Sequence, residues 1–373
     1  MAPASETELA EAVAGAAGPL AVRGGGTRGF GAPAGEALSV AGLSGVELYE
    51  PGALTIVARA GTPVAEVEAV LAAEGQRLPF EPMDHRTLSG ANGAPTVGGM
   101  VAANVSGPRR IQAGACRDSL IGVRFVDGSG TIVKSGGRVM KNVTGYDLVK
   151  LMAGSFGTLG ILSEVAFKVL PATEASATLV LDGVTPERGV AALSAALGSP
   201  FEVSGAAHLT ADQQAVMRLE GFEDQVGYRS ERLAAVLASF GEVRVERDAA
   251  RSARIWADVR DATGLAAEPG DIWRLSVRPT DGPVVWAALG RPPALFDWGG
   301  GLIWVRVADG TDVRAGLAGV AGHATLVRAT PATRARLGTF HPEPPALAAL
   351  AQGLRRQYDP RGILNAGLMS AEA

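Results

Sequence analysis

Pro19-Leu-Ala-Val-Arg-Gly-Gly-Gly-Thr27 joins a short apolar run to three consecutive glycines, and this stretch decides the fold. Pro19 to Val22 predicts a β-strand, which must be followed by a tight turn. Successive backbone N–H groups in such a turn can converge and bind phosphate oxygens without a lysine. The turn is neither a P-loop, since no Gly-Lys-Ser/Thr follows, nor a Gly-x-Gly-x-x-Gly fingerprint. Sites for nucleoside triphosphates and nicotinamide dinucleotides are therefore disfavoured.

A second glycine pair, Gly98-Gly99, lies in the segment from Pro95 to Pro108, some seventy residues later. Paired glycines before a run of small residues are typical of a loop that opens into a tightly packed helix. Two converging loops of this kind would hold a diphosphate rather than a single phosphate. Glycine abundance alone decides little, because 50 of the 373 residues are glycine.

The surrounding pattern predicts alternating strands and helices. A strand at Leu54 to Ala60 precedes a helix at Pro63 to Glu74, and the strand at Glu164 to Leu170 stops at Pro171. All five tryptophans follow Pro171. Beyond it, strand-like and helix-like stretches alternate, and they include predicted helices at Pro186 to Leu197 and Asp312 to Gly319 and a predicted strand at Leu302 to Val307. We therefore predict three parts: residues 1–172, a second α+β domain at 173–335, and a C-terminal segment at 336–373.

Composition and charge exclude several classes of protein. The 34 basic and 38 acidic residues give a net charge of -4, so no basic field exists to hold nucleic acid. Cys116 is the only cysteine, which excludes an intramolecular disulfide and an iron–sulfur cluster held by this chain. We expect Cys116 to be a buried small residue. The N-terminus lacks a signal-peptide pattern and no run of residues is typical of a membrane span, which predicts a cytoplasmic location.

Six ordered motifs resemble the vanillyl-alcohol-oxidase/PCMH flavoprotein family. They are Arg23-Gly-Gly-Gly-Thr27, Thr96-Val-Gly-Gly-Met-Val-Ala-Ala-Asn104, Arg117-Asp118, Asp127-Gly-Ser-Gly130, Gly145-Tyr-Asp-Leu148 and Gly157-Thr-Leu-Gly-Ile161. The resemblance implies an α+β fold: a PCMH-type FAD-binding domain of two α/β subdomains, an α/β cap domain, and a C-terminal segment that returns to the FAD domain.

The resemblance also implies a set of residues around FAD. The diphosphate would be bound mainly by backbone N–H groups, Ala102 and Asn104 would lie beside the flavin, and Ile161 near the ribose or adenine. Covalent relatives carry a histidine where this chain has Thr27, so the resemblance implies non-covalent FAD. The full set is Arg23, Gly24, Gly25, Gly26, Thr27, Thr96, Gly98, Gly99, Ala102, Asn104, Arg117, Asp118, Gly157, Thr158, Gly160, Ile161 and Asn365.

Within the family, the chain is similar to the FAD-binding E subunits of glycolate oxidase (glycolate dehydrogenase) complexes. The similarity includes Ile272-Trp-Arg-Leu-Ser276, Asp297-Trp-Gly-Gly-Gly-Leu-Ile-Trp304 and the tail Tyr358-Asp-Pro-Arg-Gly-Ile-Leu-Asn365, although Ala366 replaces the usual proline after the asparagine. It implies two partners, a homologous catalytic flavoprotein subunit and an iron–sulfur subunit, which would allow association with the inner face of the cell membrane.

Oxidation of a small 2-hydroxy acid on a flavin needs a base and a cation for the carboxylate. The cap-domain motif His-x-Gly-Asp-Gly-Asn-x-His of catalytic relatives is absent here. His341 is a candidate base, and Arg274 and Arg278 are candidate carboxylate ligands, unless all three are merely packed or solvent-facing. No metal site is expected. Three functions stay open: a subunit that relays electrons, a self-sufficient 2-hydroxy-acid oxidoreductase, and a non-catalytic scaffold subunit.

Overall fold

The computed structural model describes residues 1–31, 33–137 and 146–369. Its strands, in chain order from β1 to β17, are Leu20–Arg23, Glu36–Ser39, Val46–Glu50, Thr55–Arg59, Gln76–Arg77, Leu120–Val126, Ile132–Gly136, Ile161–Lys168, Leu170–Pro171, Ala175–Leu181, Gly205–Leu209, Gln214–Gly221, Val243–Glu246, Asp271–Val277, Ala294–Asp297, Leu302–Val307 and Gly322–Arg328.

The α-helices of the described residues are mostly short. From α1 to α13 they are Glu6–Ala14, Val64–Ala73, Arg86–Ser89, Val97–Ala102, Arg110–Ala113, Cys116–Ser119, Leu148–Met152, Pro186–Leu197, Glu223–Leu237, Ala249–Asp261, Gly282–Ala288, Pro331–Leu337 and Pro345–Tyr358. None of these helices is long and apolar enough to span a bilayer.

Two antiparallel sheets organise the chain. The five-stranded sheet has the order β3-β4-β8-β6-β7, and the eight-stranded sheet has the order β13-β10-β12-β11-β15-β16-β14-β17. Strand β1 pairs in parallel with β2, and β5 pairs with β9. This arrangement of helices and segregated antiparallel sheets confirms the predicted α+β class. The division at residues 172 and 335 stays a proposal, and we refer to residues 173–335 as the cap.

The elements agree with the sequence predictions where a periodic pattern is long. The helix at Pro186–Leu197 and the strand at Leu302–Val307 have the predicted bounds. The segment predicted as a helix from Asp312 to Gly319 instead forms a 3-10 helix at Val313–Leu317. The sequence interpretation also missed several strands, because they are short or fully buried and therefore lack alternation; these are β2, β3, β11, β12, β13 and β15.

One face of the eight-stranded sheet packs directly on the N-terminal half. Ile272, Leu302 and Trp304 of that face share a single core cluster with Phe80 and Phe125. Side chains of a strand alternate between the two faces of its sheet, so Arg274 and Ser276, which share the phase of Ile272 on β14, also face the N-terminal half. The space between the two sheets is where a ligand would meet both parts.

The C-terminal tail contacts the N-terminal half. Leu20 donates a backbone hydrogen bond to Ile363, and Leu20 forms a parallel bridge with Leu364. The preceding helix α13 behaves differently. It buries none of its side chains, and Leu347 and Leu350 are exposed. The contacts come from Tyr358 at the end of the helix, whose carbonyl accepts a hydrogen bond from Gly128 at 2.8 Å, and from the residues that follow.

A network of buried charges joins the cap to the N-terminal half. Glu220 on β12 accepts hydrogen bonds from Arg77 at 2.8 Å and from two nitrogens of Arg109 at 2.8 and 3.0 Å. Arg218 on the same strand donates two hydrogen bonds to Glu81, at 3.0 and 2.9 Å. The arginines hold the pKa of both carboxyl groups below the usual range, despite burial that acts in the opposite direction. The network fixes the position of β12 relative to the N-terminal half.

We predict that Glu220→Gln lowers the free energy of unfolding by about 3–5 kcal/mol, because three buried arginines would share one remaining carboxylate. Urea denaturation followed by circular dichroism measures this change.

Glu202→Gln is the matched control, since Glu202 also pairs with an arginine, Arg229, but its side chain is 73% exposed. We expect a change below about 1 kcal/mol for this variant. Equal effects of the two substitutions would contradict the structural role of the network.

Candidate functional site

The two glycine loops meet, as the sequence predicts for converging loops. A Cβ atom at Gly25 would overlap the carbonyl oxygen of Ala94, which precedes the second loop. At Gly98 a Cβ would lie 2.6 Å from that of Ala60 on the neighbouring strand-to-helix connection. Only glycine permits these two backbone approaches. Thr96 caps α4 by accepting a hydrogen bond from the N–H of Gly99 at 3.3 Å.

A cavity of about 320 Å³ opens where the loops meet, a volume within the range of small-molecule sites. Backbone of the glycine loops forms part of its wall, and aromatic and aliphatic side chains form the rest. The lining residues are Val22, Arg23, Gly24, Gly25, Gly26, Thr27, Arg28, Gly29, Phe30, Gly31, Pro33, Thr96, Gly99, Ala102, Ala103, Phe156, Asn365 and Leu368.

The cavity brings together half of the residues predicted to contact FAD. Those that line it are Arg23, Gly24, Gly25, Gly26, Thr27, Thr96, Gly99, Ala102 and Asn365. Gly98, Asn104, Arg117, Asp118, Gly157, Thr158, Gly160 and Ile161 are not among the lining residues. Their contact with a cofactor stays a prediction.

Asn104, Arg117 and Asp118 hold a short connection in place. The side-chain oxygen of Asn104 accepts a hydrogen bond from the N–H of Arg117 at 3.1 Å, and that of Asp118 accepts one from Ala115 at 2.8 Å. The side chains of Arg117 and Asp118 are half exposed. These contacts explain the residues locally without a ligand.

The loop from Gly157 to Ile161 has a similar local explanation. A Cβ at Gly160 would meet the ring of Phe125, while Ile161 is buried in strand β8. Thr158 donates its hydroxyl hydrogen bond to the carbonyl of Ser155 at 2.7 Å. Gly157 lies closest to the cavity, because a Cβ there would be 2.9 Å from the amide nitrogen of Asn365.

Asn365 ties the tail to the cavity wall. Its side-chain oxygen accepts a hydrogen bond from Val22 at 2.7 Å, and its nitrogen donates one to the carbonyl of Phe156 at 2.8 Å. The carboxamide thus bridges the strand before the first glycine loop and the chain before Gly157. Ala366 follows Asn365 at the position where the tails of related proteins usually have proline, and the contacts of Asn365 are formed with alanine there.

Arg28 is a candidate site residue that the sequence interpretation missed. It directly follows the glycine loop, lines the cavity, and has a buried Nε with no hydrogen-bond partner among the described residues. Burial lowers the pKa of its guanidinium to about 10, so it is cationic at neutral pH. A cation beside converging N–H groups fits the negative diphosphate of FAD. A basic residue directly after the glycines was the available signal.

The catalytic candidates from the sequence lie in three different environments. Arg274 faces the N-terminal half from β14. Arg278 follows the strand, with its side chain 72% exposed and bonded to Asp281. His341 accepts a hydrogen bond through Nδ1 from Ala324 at 3.4 Å, which places it beside β17. Arg274 is therefore the candidate that the fold directs toward the space between the cap sheet and the N-terminal half, which we call the junction.

Burial controls the ionisation of three groups at this junction. It lowers the pKa of Arg274 to about 10, with a further contribution from the charge of Arg110, and it lowers the pKa of His85 to about 3. It raises the pKa of Asp297 to about 7, against the hydrogen bond that Asp297 accepts from Trp298. At neutral pH Arg274 is therefore cationic, His85 is neutral and Asp297 is about half ionised.

Two smaller predictions are also resolved. Cys116 is buried, and burial raises the pKa of its thiol, which confirms a small packed residue rather than a reactive one. A helix begins after Asp147, and the side chain of Tyr146 before it is 91% exposed rather than packed in the core. Gly145 lies outside the described residues. Among the residues that are described, no cluster of His, Cys, Asp or Glu could hold a metal ion.

We predict that Gly25→Ala lowers the FAD content of the purified chain at least about tenfold, because the added methyl displaces the loop from Ala94. Absorbance of the flavin relative to that of the protein measures the content. Gly52→Ala is the matched control, since nothing lies within 4 Å of a Cβ at that position. Equal FAD content in the two variants would contradict the close approach of the loops.

We predict that Asp297→Asn removes a loss of folding stability that the wild type undergoes as pH rises from about 4 to 7. The folded pKa of Asp297 is raised, so the unfolded chain loses this proton first, and the wild type loses stability relative to the variant as pH rises. The free energies of unfolding of the wild type and the variant change relative to each other by a few kcal/mol at most over this range. Melting temperatures measured across this range test it, and parallel profiles for the two proteins would contradict it.

Comparison with known proteins identifies the family. Residues 1–136 match the FAD binding domain family FAD_binding_4. The chain is 35% identical to glycolate oxidase subunit GlcE of Escherichia coli (strain K12) over 95% of this chain and 93% of that protein. It is 37% identical to glycolate oxidase subunit GlcD of Bacillus subtilis (strain 168) over 31% of this chain and 24% of that protein.

Solved structures show the same fold. An alkyldihydroxyacetonephosphate synthase superposes with a TM-score of 0.68 at 14% identity, covering 98% of this chain and 76% of that one. The predicted PCMH-type FAD-binding fold is thereby confirmed. By its similarity over nearly the full length, the chain belongs to the family of FAD-dependent oxidoreductases that contains glycolate oxidase subunit GlcE.

Proposed function

We propose that the chain is the FAD-binding subunit of a glycolate oxidase complex, in which it takes part in the oxidation of glycolate to glyoxylate and passes electrons to an iron–sulfur subunit. The similarity to GlcE along 95% of the chain carries this proposal. The partners would be a homologous catalytic flavoprotein subunit and the iron–sulfur subunit. The complex would lie in the cytoplasm, on the inner face of the cell membrane.

Residues of both glycine loops would hold the cofactor without a covalent bond. Gly24 to Gly26 would offer backbone N–H groups at the cavity, Gly99 lines it from the second loop, and Arg28 adds a positive charge. When bound, FAD supplies an acceptor for the two electrons released by oxidation of a 2-hydroxy acid. Phe30 and Phe156, whose ring centroids are 5.4 Å apart, give the cavity an apolar wall.

The chain needs a partner or a diffusible acceptor to pass these electrons on. An iron–sulfur cluster requires about four thiolates, and Cys116 is the only cysteine. This count supports transfer to a separate iron–sulfur subunit.

A second candidate function is a self-sufficient 2-hydroxy-acid oxidoreductase. The charges and neutral imidazoles at the junction favour it. Arg274 directs a cation toward the junction, and burial lowers the pKa of the nearby His323 and His341, so both imidazoles are neutral and able to accept a proton at neutral pH. The missing histidine motif of catalytic relatives weighs against it, and so we rank it second. A non-catalytic scaffold is the third reading.

An anaerobic titration of the isolated FAD-loaded chain with glycolate separates these functions. The leading proposal predicts that absorbance near about 450 nm persists with the chain alone and bleaches when the partner subunits are added. Bleaching of the chain alone would establish the second candidate instead. If glycolate does not reduce the flavin of this chain even in the assembled complex, the chain is a non-catalytic scaffold subunit.

Co-purification tests the partners independently. We expect the tagged chain, expressed in its native host, to bring down a homologous flavoprotein and a cysteine-rich protein that contains iron. Recovery of the chain without either protein under mild extraction would contradict the complex.

A further inference from the structure

The cavity at the glycine loops contains positive charge in its wall and no carboxylate. Its charged lining residues are Arg23 and Arg28, and no Asp or Glu lines it in the part of the chain that the structure describes. Arg23 is exposed, whereas Arg28 is half-buried and its Nε is shielded from solvent. Charges interact more strongly where water is excluded, so Arg28 is the lining charge that acts most strongly on a ligand in the cavity.

The charge of Arg28 is not neutralised within the described residues. Its side chain forms no ion pair there, and its buried Nε has no hydrogen-bond partner. Asp84 is the carboxylate whose charge acts on Arg28, but Asp84 accepts hydrogen bonds from Arg86 at 2.6 and 3.0 Å. A buried cation without a partner is costly unless an anion joins it. The cavity therefore favours a ligand that carries negative charge.

The guanidinium of Arg28 lies against helix α4, past the turn of the first glycine loop. A Cβ at Gly99 would be 2.7 Å from its Nη1 atom. Ala102 and Ala103, three and four residues further along the chain, follow on the same side of the helix and line the same cavity. The charge of Arg28 also contributes to the lowered pKa of His85, whose neutral imidazole leaves that charge in place. Arg28 thus lies between the glycine turn and the alanines expected beside the flavin.

Reduction of FAD changes the charge inside this cavity. Oxidation of glycolate to glyoxylate releases two electrons and two protons, of which both electrons and one proton pass to FAD while the second proton passes to solvent. The cofactor therefore gains one negative charge. A fixed cation in the same cavity lowers the free energy of the more negative state relative to the oxidised one.

We propose that Arg28 raises the reduction potential of the FAD in this cavity, because its guanidinium stabilises the negative charge that the cofactor gains on reduction. The inference rests on the proposed function for the presence of FAD. Attraction between Arg28 and the diphosphate is the same in both oxidation states and does not shift the potential. By linkage, the chain binds reduced FAD more tightly than oxidised FAD by the factor that corresponds to the shift.

Equilibrium reduction of the full FAD-loaded chain against a reference dye tests the proposal. We expect the wild type to hold FAD at a potential above that of free FAD under the same conditions. We expect Arg28→Gln and Arg28→Met each to shift the equilibrium about tenfold or more toward oxidised FAD, which lowers the potential by about 30 mV for a two-electron couple. Arg28→Lys keeps the charge, and we expect it to retain most of the wild-type potential.

Arg251→Gln is the matched control. It also removes one positive charge, but the side chain of Arg251 is 72% exposed on helix α10 of the cap, where solvent screens it. We expect this variant to have the wild-type potential. The affinity of each variant for oxidised FAD is measured by flavin fluorescence, since a residue that only held the glycine loop would weaken both oxidation states equally and leave the potential unchanged.

Failure of this inference is distinct from failure of the proposed function. The role of Arg28 is wrong if wild-type FAD has a potential at or below that of free FAD, if Arg28→Gln and Arg28→Met keep the wild-type potential, or if Arg28→Lys loses as much as Arg28→Gln. FAD content and co-purified partners are unaffected by these outcomes. A wild-type chain that binds no FAD would overturn both. The comparison with free FAD uses the wild type alone, so it decides the question even where a variant does not fold.

Discussion

The buried pairing of Glu220 with Arg77 and Arg109 is the interaction on which the arrangement of the two sheets depends. Glu220 and Arg218 project from one strand of the cap, and their partners come from two separate segments of the N-terminal half, residues 77–81 and Arg109. Buried ion pairs of this kind contribute little net stability but tolerate few alternative geometries. The network therefore sets where this face of the cap lies against the N-terminal half.

The cavity depends on a second constraint, which is close backbone packing. Gly25 and Gly98 allow the two loops to approach neighbouring backbone, and Asn365 joins the tail to both sides of the opening. Arg28 adds a positive charge to the wall of this cavity, which would stabilise the negative diphosphate of FAD.

The sequence predicted the parts of this account that are local. Glycines beside a strand predict a phosphate-binding loop, and the long patterns at Pro186–Leu197 and Leu302–Val307 predict their elements correctly. Short or fully buried strands such as Gly205–Leu209 escaped prediction because they carry no alternation. Arg28 was missed because converging backbone N–H groups already account for phosphate binding at that loop. The network of Glu220 with Arg77 and Arg109 depends on tertiary contacts that no local pattern encodes.

Flavin analysis of the purified chain tests the central claim most directly, that these loops hold non-covalent FAD in a cavity joined to the cap. The chain is denatured with acid, and the flavin in the supernatant is identified and compared with the protein concentration. The account predicts about one FAD per chain, all of it released into the supernatant. A chain that retains no flavin after incubation with excess FAD, or whose flavin stays with the precipitated protein, would contradict it.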